Sequence, residues 1–325
     1  MKSAQTTIND LILKRFALLL ANNRLAHAYL FMGPHGIGKS EAALNVARLI
    51  TCENNPDGRQ SSFCGTCASC RRIDSGNHPD VMFIDKGEEQ SIRIARVREL
   101  IARIQLKPYE ARLKIFIIKN IEDLTLEGSN ALLKTLEEPS KDSLLILTTA
   151  VPERNLDTVR SRCHGVHFFA LSGEQLAAQL KQEFSLEEKE SHFLAYFSEG
   201  CLGRARELTG QGFFDKKNDI IDNIVFRGVQ DSYLKAISGD KEEARVVLNV
   251  LLAWFRDLIL LKVGAHEDRL VNTDRVTDLA RLAKYYNFEQ LTDIVNEIVN
   301  TLKLLEDNLN VKIPMALLKE EIWVK

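Results

Sequence analysis

The chain has 325 residues, 43 Lys+Arg against 45 Asp+Glu, a formal net charge of -2 and a hydrophobic content of 45%. That balance excludes a disordered or collagen-like polymer, and it excludes a protein that holds nucleic acid by bulk positive charge alone. No apolar run approaches the roughly 18 residues of a membrane span, and Met1–Asp10 lacks the basic-then-apolar plan of a signal peptide, so a cytoplasmic protein of two or three domains with no membrane partner is expected.

The first half alternates short apolar runs with helical spacing. Ala28–Met32, Val81–Asp85, Ile115–Ile118, Leu144–Thr149 and Val166–Leu171 read as buried parallel strands. Between them, Ala42, Val46 and Leu49, and then Val97, Leu100, Ile101 and Ile104, recur at helical intervals. This alternation predicts an α/β core, a parallel sheet with helices on both faces, over residues 1–171. Past Leu171 only helix signals remain. Ser172 with Gln175 and Ser185 with Glu188 fit capping boxes, which opens two short helices in a small helical domain over 172–210. Stripes of Leu248, Leu251, Leu252, Phe255, Leu258 and Ile259, and of Leu291, Ile294, Val295, Ile298, Leu302 and Leu305, predict an all-helical domain over 211–325, with Pro314 opening or breaking its last helix.

Gly33-Pro34-His35-Gly36-Ile37-Gly38-Lys39-Ser40 spells the phosphate-binding loop G-x-x-x-x-G-K-[ST] between a predicted strand and a predicted helix. The glycines Gly33, Gly36 and Gly38 let backbone N–H groups turn toward phosphates, Lys39 supplies a point charge, and Ser40 supplies a hydroxyl for Mg²⁺. Hydrolysis also needs a carboxylate at the end of another strand to hold the metal, commonly with a second beside it to orient water. The candidate strand runs Lys114-Ile115-Phe116-Ile117-Ile118-Lys119-Asn120, with lysine and asparagine at those positions. An ammonium cannot ligate Mg²⁺ and an amide is a poor base, so a site that binds ATP and hydrolyses it poorly is expected. Glu122 and Asp123 are the alternative carboxylates, three and four residues further along.

Cys52, Cys64, Cys67 and Cys70 have the spacing C-x11-C-x2-C-x2-C. In a reducing compartment four close thiols suit a tetrahedral Zn²⁺, and an all-thiolate set leaves no open position, so the role is structural. Cys163 and Cys201 stand apart from the cluster as ordinary thiols.

Together these residues resemble the bacterial DNA polymerase III clamp-loader subunits of the AAA+ class. The resemblance rests on His27-Ala28-Tyr29-Leu30-Phe31 before the loop, the four-cysteine insert, Ala131-Leu132-Leu133-Lys134-Thr135-Leu136-Glu137-Glu138-Pro139, and Ser161-Arg162-Cys163. It implies an AAA+ core with a zinc module at 52–70, a helical lid over 172–210 and a helical collar that oligomerises over 211–325. Arg162 is then an arginine finger for the ATP site of an adjacent subunit. Thr148 or Thr149 resembles the sensor-1 position, and Thr149 is the nucleotide-binding candidate; Arg204, in Gly203-Arg204-Ala205, resembles sensor 2. Lys119-Asn120 is more similar to the delta prime type than to the gamma/tau type, which keeps Asp-Glu there, and a helical end at Lys325 without a long extension agrees. The implied partners are the gamma/tau and delta subunits, the sliding clamp and, within the assembly, primed DNA. The competing readings are an active gamma/tau-type ATPase and a zinc-stabilised nucleic-acid-binding module. The second has thin support from Arg59, Phe63, Arg71 and Arg72.

Overall fold

A computed structural model describes residues 8–55, 59–152, 157–227, 237, 239–307 and 312–322. The chain divides into two compact units, Met1–Ala170 and Leu171–Lys325.

The first unit is built on five parallel strands, β1 (Ala28–Met32), β2 (Val81–Ile84), β3 (Lys114–Ile118), β4 (Ser143–Thr149) and β5 (His164–His167), in the order β2-β3-β4-β1-β5. Every residue of β1, β3 and β4 is buried, which is why these strands read as unbroken apolar runs. Helices α1 (Ile8–Ala21), α2 (Lys39–Thr51) and α3 (Ala68–Asp74) cover one face, packing Phe16, Val46 and Ile73 on Tyr29, Phe31, Ile115, Ile117, Leu144 and Ile146. The other face takes α4 (Ile94–Ile104), α5 (Leu126–Glu137) and the short α6 (Asp157–Arg160), with Val97, Leu100, Leu132 and Val159 on Leu30, Phe116, Ile118, Leu145 and Leu147. Each fully buried Leu, Ile or Phe removes enough apolar surface from water to contribute about 1.5–3 kcal/mol before entropy is counted.

The fifth strand departs from the expected Val166–Leu171. It runs from His164 to His167, with the ladder ending where Phe168 N donates to Met32 O at 2.8 Å. This is an edge strand. His164, Gly165 and His167 are exposed while Val166 and Phe168 point into the core, so no continuous apolar run marks it. Phe169, which the apolar run included, is 73% exposed.

The second unit is helical among its described residues, with α7 (Gly173–Phe184), α8 (Glu188–Phe197), α9 (Leu202–Gly210), α10 (Phe213–Ile221), α11 (Lys241–Lys262), α12 (Val276–Leu282), α13 (Phe288–Glu306) and α14 (Lys312–Ile322). One apolar cluster extends from Leu176 to Ile322 around Trp254 and Phe255, and both predicted leucine-rich stripes lie in it. Pro314 sits in the first turn of α14, where its missing N–H costs nothing. The Ser172–Gln175 capping box forms reciprocally. The one expected at Ser185 does not: Ser185 adopts φ 56° as the left-handed cap ending α7, and Glu187 is the residue before α8. Serine is favoured at both kinds of turn, and the pattern alone did not separate them. Lys217 is fully buried, with Nζ 2.6 Å from Asp274 Oδ2 and over the rings of Phe193 and Phe214, and Asp257 accepts from the backbone N–H groups of Val271 and Asn272.

Candidate nucleotide and metal sites

The phosphate-binding loop leaves the C-terminal end of β1 and enters α2, on a sheet where the neighbouring β4 and β5 end at the same level. Gly33 N donates to Thr149 O, and a Cβ on Gly33 would come within 2.6 Å of Phe168 O, so only glycine fits between the two flanking strands. Gly38 holds φ 98° as the residue before α2, which turns the first amides of that helix outward into an anion-accepting end. Gly36 and His35 form the exposed crest. Lys39 is 5% exposed and its Nζ donates to Gly33 O and Pro34 O, both at 2.7 Å, which arches the ammonium over the cradle. Ser40 is half-buried beside it. Loop, cation and helix end thus converge as the sequence spelled them.

Beside the cradle, strand alternation decides what β3 presents. Ile115 and Ile117 lie on the α2 face and Phe116 and Ile118 on the other. The ladder continues one residue, with Lys119 N donating to Ile84 O at 2.8 Å, so Lys119 falls on the α2 face at the strand end. Asn120 turns away at φ 52°, its N–H bonded to Thr148 Oγ1 at 2.9 Å. Thr148 and Thr149 are both fully buried: Thr148 lies on the face shared with Lys119, and Thr149 Oγ1 accepts from Val151 N. Glu122 Oε1 accepts from Ala150 N at 2.9 Å at the end of β4 while its Oε2 is buried without a hydrogen-bond partner, and Asp123 pairs with Lys86 at 3.3 Å. The donor set at the end of β3 therefore does not fit a divalent cation, because its position on the cradle face is an ammonium.

The four cysteines gather at the far end of α2. Their Sγ atoms all lie within 4.8 Å of one another, against roughly 3.8 Å for the corners of a tetrahedron with Zn–S bonds of 2.3 Å, so they fit a zinc ion. Cys52 caps the end of α2, Cys67 caps the start of α3, and Cys70 lies within α3. Amides of Thr66 and Cys67 point at Cys64 Sγ at 3.4 and 3.3 Å and hold its pKa down to about 5. Burial pushes the Cys52 and Cys70 thiols up. Zinc, when bound, supplies the charge that makes all four thiolates stable together. Around them Arg48 pairs with Asp74 at 2.6 Å and lies over the Phe63 ring, and Glu53 Oε1 accepts from Ser69 N.

A brace behind this module was not visible in the sequence. Ser69 Oγ lies 3.1 Å from His78 Nε2, and His78 Nδ1 accepts from Asp80 N, which places the ring proton on Nε2. Burial pushes the His78 pKa down, so the ring is neutral. Asp80 accepts from Tyr109, Glu110 and Ala111 amides at 2.7, 2.8 and 2.8 Å; burial raises its pKa, but the three amides outweigh burial and leave it below the usual carboxylate value.

Arg162 lies between α6 and β5. Its guanidinium donates to Glu137 Oε1 at 2.6 Å and to Thr158 O at 2.9 Å. Glu137 is the last residue of α5, in the Leu-Lys-Thr-Leu-Glu-Glu-Pro stretch, so two of the singled-out motifs meet through this pair. Neighbouring Cys163 is pushed up to about 12 by burial, and its thiol is inert at neutral pH. Arg204 belongs to the second unit, exposed on α9 and 3.3 Å from Glu199. No helix among the described residues is long and apolar enough to cross a membrane.

The chain was compared with known proteins. A family model described as DNA polymerase III, delta subunit, matches residues 8–172, and a second, described as its C terminal part, matches residues 211–319. The delta prime subunit of Bacillus subtilis is 28% identical over 302 residues, covering 90% of this chain and 89% of that one. The delta prime subunit of Pseudomonas aeruginosa is 32% identical over 270 residues, 81% of this chain and 78% of the relative. The tau subunit of Escherichia coli is 34% identical over 205 residues, but these are 62% of this chain and 31% of tau. Among solved structures, a gamma subunit-related protein of Thermotoga maritima aligns over 96% of this chain and 99% of its own, at TM-score 0.46 and 19% identity. With its core matched by the first family model and delta prime relatives matching along most of its length, the chain belongs to the DNA polymerase III delta prime family.

Proposed function

We propose that the chain is a delta prime-like subunit of a clamp loader, which helps open the sliding clamp and place it on primed DNA in a ring with gamma/tau and delta subunits. In this reading residues 1–171 are the AAA+ core, 172–210 the lid and 211–325 the collar through which the ring is held. The cradle of Gly33, Gly36, Gly38, Lys39 and Ser40 holds a nucleotide, with Thr149 and Arg204 as its sensors, and the chain does not turn that nucleotide over. Arg162 acts in trans on a neighbouring ATPase site, delocalising charge on the phosphoryl group being transferred there. Zinc on Cys52, Cys64, Cys67 and Cys70 is structural.

The observation that carries the reading is Lys119 on the cradle face of β3, where a hydrolysing site needs a metal-binding carboxylate. It favours a non-hydrolysing subunit over the gamma/tau type. The place of Arg162, two residues before the edge strand β5, supports the finger assignment; in the isolated chain its guanidinium is held by Glu137. The test is reconstitution with the other loader subunits. The isolated chain is expected to show no Mg²⁺-dependent ATPase, and Arg162→Ala to lower DNA-stimulated turnover of the complex while leaving assembly intact. Robust turnover by the pure chain refutes the first assignment, and unchanged turnover of the complex refutes the second.

A further inference from the structure

We infer that Lys119 takes the place of the divalent cation, so that the cradle binds a nucleoside di- or triphosphate without Mg²⁺. The inference rests on the reading that the cradle holds nucleotide, and it adds which form of the nucleotide is held and by which residue.

The argument starts from charge. A nucleotide without its metal brings three or four negative charges to a helix end that carries about half a positive charge, plus the Lys39 ammonium. In hydrolysing sites the rest of the compensation comes from a metal held by a carboxylate at the end of a neighbouring strand. Here that strand end carries a fixed cation. Lys119 follows Ile115 and Ile117 in the period-two alternation that faces α2, and its backbone is still in the parallel ladder with β2, so its direction is set by the sheet and not by a loop. β3 and β1 are separated by β4 alone, two strand spacings or about 10 Å, a gap that a lysine stem and a phosphate chain fill from either side.

The surroundings leave the ammonium available. Among the described residues, no carboxylate is within ion-pairing distance of Lys119. Of the two acidic residues that follow it, Asp123 pairs with Lys86, and Glu122 accepts from Ala150 N through Oε1 while its Oε2 is buried without a hydrogen-bond partner and makes no ion pair with Lys119. Lys119 is half-buried, which limits competition from water without imposing the cost of full burial. A Mg²⁺ arriving with the nucleotide would meet this ammonium at the point where it needs an oxygen ligand, and like charges repel there. Lys39 is common to both kinds of site, and Lys119 supplies the single net positive charge that Mg²⁺ and the carboxylate holding it supply together elsewhere.

The experiment measures binding of ATPγS to the full chain by equilibrium dialysis, with Mg²⁺ and in buffer freed of divalent cations by chelating resin. EDTA is avoided because it would attack the cysteine site. The wild-type Kd in metal-free buffer is expected to equal the value with Mg²⁺ within about threefold, and Lys119→Met to weaken metal-free binding about tenfold with an unchanged circular dichroism spectrum. Lys119→Asp is expected to bind only when Mg²⁺ is present. Binding by the wild type that requires Mg²⁺ overturns the inference and leaves the nucleotide reading standing. In that case Glu122→Gln identifies whether Glu122 supplies the ligand. Unchanged metal-free binding by Lys119→Met also overturns it. Absence of binding under both conditions removes the nucleotide reading, and the inference falls with it.

Discussion

Asp80→Asn tests the brace behind the cysteine module. The substitution keeps the size of the side chain and removes its charge. Asp80 is 2% exposed and its two oxygens accept three amide protons, one on Oδ1 and two on Oδ2. Hydrogen bonds to a charged acceptor contribute about 1.5–3 kcal/mol each, against about 1 kcal/mol for neutral pairs. Asparagine keeps two of the three as neutral bonds and sets its NH₂ against the third donor. The summed loss of about 4 kcal/mol is offset by about 1 kcal/mol because a charge no longer has to be buried, leaving about 3 kcal/mol. For a unit of this size 1 kcal/mol corresponds to about 3 °C, so the melting transition of the first unit should fall by roughly 9 °C. The pH dependence fixes the mechanism. The folded pKa lies below the unfolded value, so the contribution is complete above the unfolded carboxylate pKa of about 3.9 and is lost as pH falls through the folded value. Wild type and variant should therefore differ by a constant amount near neutrality and converge in acid. A melting shift under about 2 °C, or a difference that persists unchanged below pH 3 or so, would refute the reasoning.

The purified chain should carry one zinc ion, and because Cys64 is already a thiolate at pH 7 while Cys52 and Cys70 hold their protons, remetallation should release at least those two. Calorimetry in two buffers of different ionisation enthalpy counts them, and a release below about one proton contradicts the assigned states. Glu137→Gln weakens the grip on Arg162; an exposed pair is worth about 0.2–1 kcal/mol, so turnover of the reconstituted complex should rise by about twofold, whereas a fall would mean that Glu137 positions the guanidinium for its work. Lys217→Ala and Lys217→Met both leave Asp274 without its ammonium partner, so each should cost the second unit about 3–5 kcal/mol in urea unfolding, even though methionine fills the space. A loss much smaller for Lys217→Met than for Lys217→Ala would show that packing and not charge pairing sets the value.

How much of this was legible depends on how local each signal is. β1, β3 and β4 are buried on both sides, so their apolar runs announce them, and the glycine loop is spelled contiguously because every atom of the cradle comes from eight consecutive residues. The cysteine cluster was legible for the same reason, its four thiols lying within nineteen consecutive positions of one excursion. β5 was misplaced because an edge strand needs apolar residues on one side alone, and the exposed Phe169 imitated a continuation. The Asp80 brace joins residues about thirty positions apart, and Glu137 reaches Arg162 across twenty-five. Neither carries a spacing rule, because the pairing is set by where the sheet brings the loops and helix ends together.

The geometry of α2 connects the two candidate sites. Its first turn faces the candidate cradle and its last residue is followed by Cys52, so one helix of 13 residues, roughly 20 Å long, runs from the glycine loop to the four cysteines. At that distance a metal held by the cysteines could take no part in chemistry at the cradle, yet it would fix the end of the helix whose other end faces the cradle. Gly33, pressed between Thr149 O and Phe168 O, ties that register to β4 and to the segment after β5. Ser161-Arg162-Cys163 leads directly into β5. A shift of the cradle would therefore be felt at β5 and the residues leading into it, Arg162 among them, without any requirement that nucleotide be cleaved. The glycines and Lys39 of the cradle are residues that position, whereas the two places at the end of β3 where hydrolysis needs carboxylates hold Lys119 and Asn120.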